Sequence, residues 1–203
     1  MSLEIRQEAL TPQTLAEHGR ISIAFTVDRV LAVALTSDGA SGTSATNGIS
    51  LTLTETPVVK PYVKDYDAVP YEGPARWAKA FDTSNWGMIG AYRDDVRVGG
   101  AVLAFRTANL WMLGGRSDVT ALWDLRVAPE QRGTGVGSAL FLAAEVWAAE
   151  RGAGWLKIET QNVNAAACRF YRKMGCTLGG FDRFAYPGLP HETQLLWWKS
   201  LTG

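Results

Sequence analysis

Two periodicities divide the chain. From Trp86 to Phe105 apolar and small residues run in two stretches, "WGMIGAYR" and "RVGGAVLAF", separated by Asp94-Asp95, and this pattern predicts two strands joined by a tight antiparallel hairpin. "ALWDLRVAP", Ala121 to Pro129, reads as another strand. After it Val136, Leu140, Ala143 and Trp147 recur at helical spacing, so a helix should run to about Arg151. "WLKIETQ" (Trp155 to Gln161) predicts a strand, Asn164 to Met174 a second helix, and "CTLGGFDRFAY" (Cys176 to Tyr186) and "TQLLWWKSL" (Thr193 to Leu201) two closing strands. A strand, crossover helix and strand in series favour parallel pairing of the two strands. The chain is therefore expected to be mixed α/β, with hairpins before and after one parallel crossover.

The first 85 residues carry weaker signals. "TPQTLAEHG" from Thr11 suggests a short helix, and "DRVLAVAL" from Asp28 and "ISLTLTETP" from Ile49 suggest strands. Between them Thr36 to Gly48 is small and polar throughout, an exposed hairpin tip or mobile loop. Pro57 to Pro74 holds four prolines and three tyrosines, and is read as an ordered irregular loop. "ARWAKAF", Ala75 to Phe81, has one or two helical turns.

At 203 residues the chain fits one domain, 1–203. Twenty basic and twenty acidic residues give zero net charge, which argues against nucleic acid or an anionic membrane as partner. Cys168 and Cys176 fit neither a CxxC pair nor a zinc knuckle, and two histidines do not complete a metal site with them. No metal is expected. The start "MSLEIRQEAL" carries charges where a signal peptide needs an apolar core, so a cytoplasmic protein is expected. "LLWWKSL" offers apolar surface that a second copy could cover, making a homodimer.

The candidate chemistry begins at "QRGTGVGSAL". Gly133, Gly135 and Gly137 stand where the helix starts, a place of open backbone N–H groups and positive dipole that stabilises an anion. A P-loop requires a lysine that is missing here, and the dinucleotide pattern GxGxxG fails in both registers, at Ser138 and at Leu140. The pattern that fits is RxxGxG, over Arg132, Gly133, Thr134, Gly135, Val136 and Gly137.

"LWDLRVAPEQRGTGVGSAL" resembles the acetyl-CoA-binding motif of the Gcn5-related N-acetyltransferase (GNAT) superfamily, and "NAAACRFYRKMGC" resembles its second signature through Asn164, Ala167, Phe170, Tyr171 and Gly175. Cys176 departs from the usual Phe. "IETQNVNAAACRFYRKMGC" and "LTLTETPVVKPYVKDYD" are similar to streptothricin acetyltransferases. The resemblance covers about Trp86 to the C-terminus. It implies a mostly antiparallel twisted sheet with a splayed parallel central pair, flanked by helices, with 86–203 as the acetyl-CoA-binding core and 1–85 as a variable acceptor-side half.

The resemblance also implies roles. The backbone of Leu125, Arg126 and Val127 would bond the pantetheine and thioester carbonyl, and the N–H groups from Arg132 through Gly133, Thr134, Gly135, Val136 and Gly137 to Ser138 would hold the pyrophosphate. Tyr171 would protonate the departing thiolate, while Asn164 and Ala167 would contact the cofactor. On helical spacing Asn164, Cys168 and Tyr171 share a face, beside an apolar stripe of Ala167, Phe170 and Met174. Cys168 is read as a small buried thiol, not a nucleophile. A protonated amine acceptor needs a base, for which Glu159 in the strand beside the gap is the first choice, with Asp124 orienting a cationic substrate. Each of these carboxylates could equally be structural. Tyr62, with Asp65 and Tyr66, could form a further substrate wall or be plain surface loop. The expected activity is acetyl transfer to a primary amine of a small molecule by direct attack in a ternary complex, with a streptothricin-like antibiotic as one acceptor. The competing readings are a regulatory module that binds acetyl-CoA without transfer, and a peptide or protein N-acetyltransferase.

Overall fold

The computed structural model describes residues 2–37, 49–69 and 73–202, and at 35–37 and 49–50 the backbone only. The tip foreseen at Thr36 to Gly48 thus lies outside the described residues from position 38 onward. One sheet of seven strands carries the fold, in the order β1-β4-β5-β6-β7-β9-β8. Its strands are β1 (Glu4–Glu8), β4 (Gly87–Arg93), β5 (Val96–Phe105), β6 (Val119–Val127), β7 (Trp155–Gln161), β8 (Thr177–Asp182) and β9 (Gln194–Ser200). Among the described residues only β6 and β7 pair in parallel. A separate ribbon pairs β2 (Phe25–Ser37) with β3 (Ile49–Lys64).

The helices are α1 (Pro12–Gly19), α2 (Trp77–Ala80), α3 (Val136–Glu150) and α4 (Ala165–Lys173). Helix α1 starts as its sequence allows. Thr11 and Thr14 form a reciprocal capping box, and Pro12 occupies the first turn, where its missing N–H costs nothing. Helix α3 lays Val136, Leu140, Phe141, Ala144 and Trp147 onto one face of the sheet. Each large apolar side chain buried this way contributes about 1.5–3 kcal/mol. Tyr171 and Cys168 of α4 join that same core. On the opposite face Leu15, Trp77, Trp86, Met88 and Val102 form a second core, edged by Phe81 and Trp123.

The tertiary context overrides the pattern in four places. β1 is a short polar strand that exists through its pairing with β4, a long-range partner invisible to local periodicity. β3 continues through Pro57 and Pro61 to Lys64, where a loop was expected. Pro57 sits at the register break, beyond which pairing resumes at Tyr62 opposite Val27, and a two-stranded ribbon leaves each strand an unpaired edge that tolerates proline. The strand expected to reach Tyr186 stops at Asp182, whose side chain accepts the Phe184 N–H at 2.7 Å and turns the chain. The apolar surface of "LLWWKSL" is largely spent inside the chain. Leu195 and Trp197 are buried, and Leu196 and Trp198 pack against the second core.

Candidate active site

The site arises where β6 leaves β7. Their pairing covers only Val119 to Leu122 against Trp155 to Ile158, after which β7 continues beside β9 while β6 stays with β5. A bulge in the β5–β6 ladder falls at Trp123, since Leu122 faces Leu103 but Asp124 faces Val102. An extra residue bends its strand and resets which side chains face which way. Leu125 and Val127 consequently pack with the α3–α4 core, while Asp124 and Arg126 turn toward α1. The split therefore opens a gap with differently built walls on the two faces of the sheet.

On the α3–α4 face lies a cavity of about 440 Å³. Its walls include Leu125, Arg126, Val127, Arg132, Gly133, Gly135, Gly137, Ser138, Asn164, Ala167, Phe170 and Tyr171. Gly133 and Gly135 adopt φ of +79° and +94°, a region that a Cβ disfavours, and Gly135 is the N-cap of α3. No side chain caps this helix. Its first internal bond runs from Ala139 N–H to Gly135 C=O, so the N–H groups from Gly135 to Ser138 have no helical acceptor. The N–H groups of Arg132 and Thr134 are taken by Pro129 and Gln131 carbonyls, at 3.3 Å each. Val136 is fully buried, and Thr134 is exposed with its hydroxyl on Gln131 O. The Arg132 side chain turns the other way and donates to Ser22 O, Ala24 O and Val127 O, pinning the segment whose Ser22 and Ile23 form another wall. An open helix start, an apolar slot and an unpaired strand edge suit a long ligand with anionic groups at one end.

Asn164 caps α4 by accepting the Ala167 N–H at 3.1 Å, which leaves its amide N–H₂ for the cavity it lines. Tyr171 is nearly buried, its ring against Phe141 and Phe170, and its hydroxyl has no hydrogen-bond partner among the described residues. Burial, and then the negative charge of Asp124, push its phenol above the ordinary value. Cys168 does not line the cavity. The inward face of α4 carries it instead to Thr160 Oγ1 at 3.4 Å, and burial lifts its thiol to about 11.

The opposite face is made of side chains. Glu159, the first β7 residue past the parallel pairing, receives hydrogen bonds on Oε1 from the Tyr186 hydroxyl and from Gln194 Nε2 at 3.1 Å. Its Oε2 accepts none among the described residues. Gln161 accepts from the Tyr66 hydroxyl and donates to Tyr186 at 2.9 Å. Lys64 pairs with Glu192 at 2.5 Å near the same tyrosines. Tyr62 stands partly exposed on β3, bonded to none of these groups, and its phenol is raised by burial and by Glu192. Asp65 caps the 3₁₀ turn Tyr66–Ala68 by accepting the Asp67 N–H at 3.0 Å.

The sequence reading gave Asp124 to the substrate, and the fold places it elsewhere. Its side chain is buried, with His18 Nε2 at 2.7 Å and Arg126 Nε at 2.9 Å on Oδ1 and Arg126 Nη2 at 3.1 Å on Oδ2. Burial by itself would raise this carboxyl, but the His18 hydrogen bond and the charges of His18 and Arg126 outweigh it and hold the group below its ordinary range. Asp124 is thus committed to the interior. His18, Tyr186 and Gln194 lie outside the quoted motifs, and Asp67 and Gln161, though inside two of them, were given no role, since these residues meet only across distant segments.

The comparisons with known proteins decide the family. The profile of the acetyltransferase (GNAT) family matches residues 55–176. A streptothricin acetyltransferase of Streptomyces lavendulae is 30% identical over 168 residues, 83% of this chain and 79% of that protein. The chain belongs to the GNAT family. This GNAT chain also resembles a nourseothricin acetyltransferase crystal structure, with a TM-score of 0.72 at 31% identity over 99% of both chains. A Bacillus anthracis str. Ames structure described as a streptothricin acetyltransferase in complex with acetyl coenzyme A superposes with a TM-score of 0.69, at 28% identity over 98% of this chain and 99% of that one. The GNAT chain is an N-acetyltransferase whose acetyl donor is acetyl-CoA. Among its described residues no helix is long and apolar enough to cross a membrane.

Proposed function

We propose that this enzyme transfers the acetyl group of acetyl-CoA to a primary amine of a small cationic molecule of the streptothricin class, by direct attack in a ternary complex. Acetyl-CoA lies in the cavity, its pantetheine along Leu125, Arg126 and Val127 and its pyrophosphate on the open start of α3. The acceptor enters from the other face, past the half supplied by residues 1–85. The observation that carries this reading is Glu159, at the split, with Oε1 anchored by Tyr186 and Gln194 and Oε2 open.

Glu159 takes a proton from the ammonium, directly or through water, freeing the lone pair that attacks the thioester carbon. Backbone N–H groups of β6 stabilise the oxyanion. As the C–S bond breaks, the sulfur leaves as thiolate and takes a proton from Tyr171, and the second proton of the attacking nitrogen passes through water to the tyrosinate, leaving a neutral amide and a restored phenol. A phenol raised by burial holds that proton through the neutral range. The streptothricin class is supported by the relatives at 30–31% identity over most of the chain.

The test is a CoA-release assay with acetyl-CoA over streptothricin, other aminoglycoside-like antibiotics, polyamines, amino acids and peptides. Release with streptothricin and not with peptides is the expected result. Acetyl-CoA binding by calorimetry without release on any amine would show a binding module, and release confined to peptides would overturn the acceptor class.

A further inference from the structure

The chain buries a polar network that the chemistry of acetyl transfer does not call for. Arg126, only 2% exposed in its side chain, uses all five of its N–H donors. Two go to Asp124, one to the Ile21 carbonyl at 3.3 Å, and two form a fork on Asp67 at 2.5 and 2.9 Å. His18, fully buried on α1, closes the far side of Asp124, so close to the sheet that a Cβ at Gly100 would stand 2.5 Å from its ring. The Arg126–Asp67 fork joins residues 59 apart in the sequence.

What the network joins gives it a meaning. Arg126 lies between Leu125 and Val127, which line the cofactor cavity. Asp67 lies within the 3₁₀ turn Tyr66–Ala68, whose Tyr66 donates its hydroxyl to Gln161, next to Glu159. Phe25, another cavity wall, holds its ring 5.7 Å from that of Tyr66. The acceptor-side turn is a single 3₁₀ turn with no buried residue. It has little core of its own to hold it, and a bidentate ion pair on a buried arginine supplies what packing does not.

We infer that the Arg126–Asp67 pair couples the two substrate sites: by gripping Asp67 from the cofactor strand, Arg126 holds Tyr66 on Gln161, so that acetyl-CoA binding along β6 orders the acceptor wall. Arg126 and Asp67 are positioning residues that act through Tyr66. The inference rests on the acceptor lying on the Glu159 side of the gap, as proposed above. By reciprocity, the acceptor tightens acetyl-CoA binding by the same factor.

Hydrogen–deuterium exchange of residues 65–69, measured with and without free CoA, reads the coupling without any acceptor. In wild type and in Asp67→Glu, CoA should slow exchange there about tenfold, a typical coupling strength. In Asp67→Asn that protection should vanish while CoA affinity stays the same. Equal protection in Asp67→Asn, or none in wild type, overturns the inference. So does a joint loss of CoA affinity and melting temperature, which would mark a merely structural pair. Steady-state kinetics with acetyl-CoA and streptothricin separate this from the reading it rests on. Asp67→Asn should raise the acceptor KM at saturating acetyl-CoA about tenfold with the affinity for CoA alone unmoved, and Tyr66→Phe should do the same without adding to it. An unaltered acceptor KM in Tyr66→Phe, with the exchange result intact, would relocate the acceptor and leave the coupling standing. Additive effects of the two changes would sink the coupling alone.

Discussion

The two faces of the split sheet are built with different materials. On the α3–α4 face the groups aimed at the ligand are backbone: two left-handed glycines, an uncapped helix start and the free edge of β6. On the α1 face they are side chains: Glu159, Tyr186, Gln194, Gln161 and Tyr66, from β7, β9, a 3₁₀ turn and the loop before β9. A backbone site depends on local conformation, and a short motif can encode it. A side-chain site depends on distant segments meeting, so its residues can change with the acceptor while the donor site stays. The difference teaches why one part of such an enzyme is recognisable at low identity and the other is not.

The comparison can be broken by experiment, most strongly at the buried network. Asp124→Ala strands His18 and Arg126 without their carboxylate, and losing one partner of a buried pair costs about 3–5 kcal/mol. Urea melts should show that loss at neutral pH. Because the folded Asp124 carboxyl titrates below its unfolded value, its contribution is complete above about pH 3.9 and is lost as pH falls through the lower folded value. The gap between wild type and variant should close on acidification. A gap that persists unchanged would mean that the contribution does not come from the ionised carboxylate.

Tyr171→Phe should lower turnover by about a hundredfold or more, with the acetyl-CoA KM held within experimental spread. Since burial lifts this phenol, wild-type turnover should show no fall below about pH 10 attributable to losing its proton. Unchanged turnover would take the acid role from Tyr171 and leave the cavity face purely a binding surface.

Gly135→Ala tests the backbone half. A Cβ at φ +94° costs about 1–2 kcal/mol, so the acetyl-CoA KM should rise roughly tenfold while turnover at saturation is kept. Thr134→Ala sharpens the point from the other side. Its exposed side chain contacts only the Gln131 carbonyl, and a surface change of this kind shifts binding by at most about twofold. A large effect there, seen in calorimetry with CoA, would mean that side chains matter to the donor site after all.

Legibility in the sequence follows the same division. The hairpin at Asp94-Asp95, the crossover from β6 through α3 to β7, and the glycines at the helix start were readable because each rests on neighbours a few residues apart. β1 and the run of β3 through Pro57 and Pro61 were not, because their stability comes from partners many residues away. Asp124 shows the limit most clearly. Its place one residue before Leu125 was plain, but the bulge at Trp123 that turns it toward His18 is a property of the β5–β6 register.

The sequence by itself determined the α3–α4 face: the glycine spacing in "QRGTGVGSAL", the Asn164 to Tyr171 interval and the apolar stripe of α3 dictate an open helix start beside an apolar slot. These features follow from φ preferences, helical periodicity and orphan N–H groups, all set within a few residues. The tertiary structure alone decided the side-chain network of the α1 face: that Glu159 is anchored by Tyr186 and Gln194, that Asp124 belongs to the interior, and that Arg126 reaches Asp67. Ion pairs and hydrogen bonds between side chains act over a few ångströms, and only a finished fold brings groups 27 to 106 residues apart within that range.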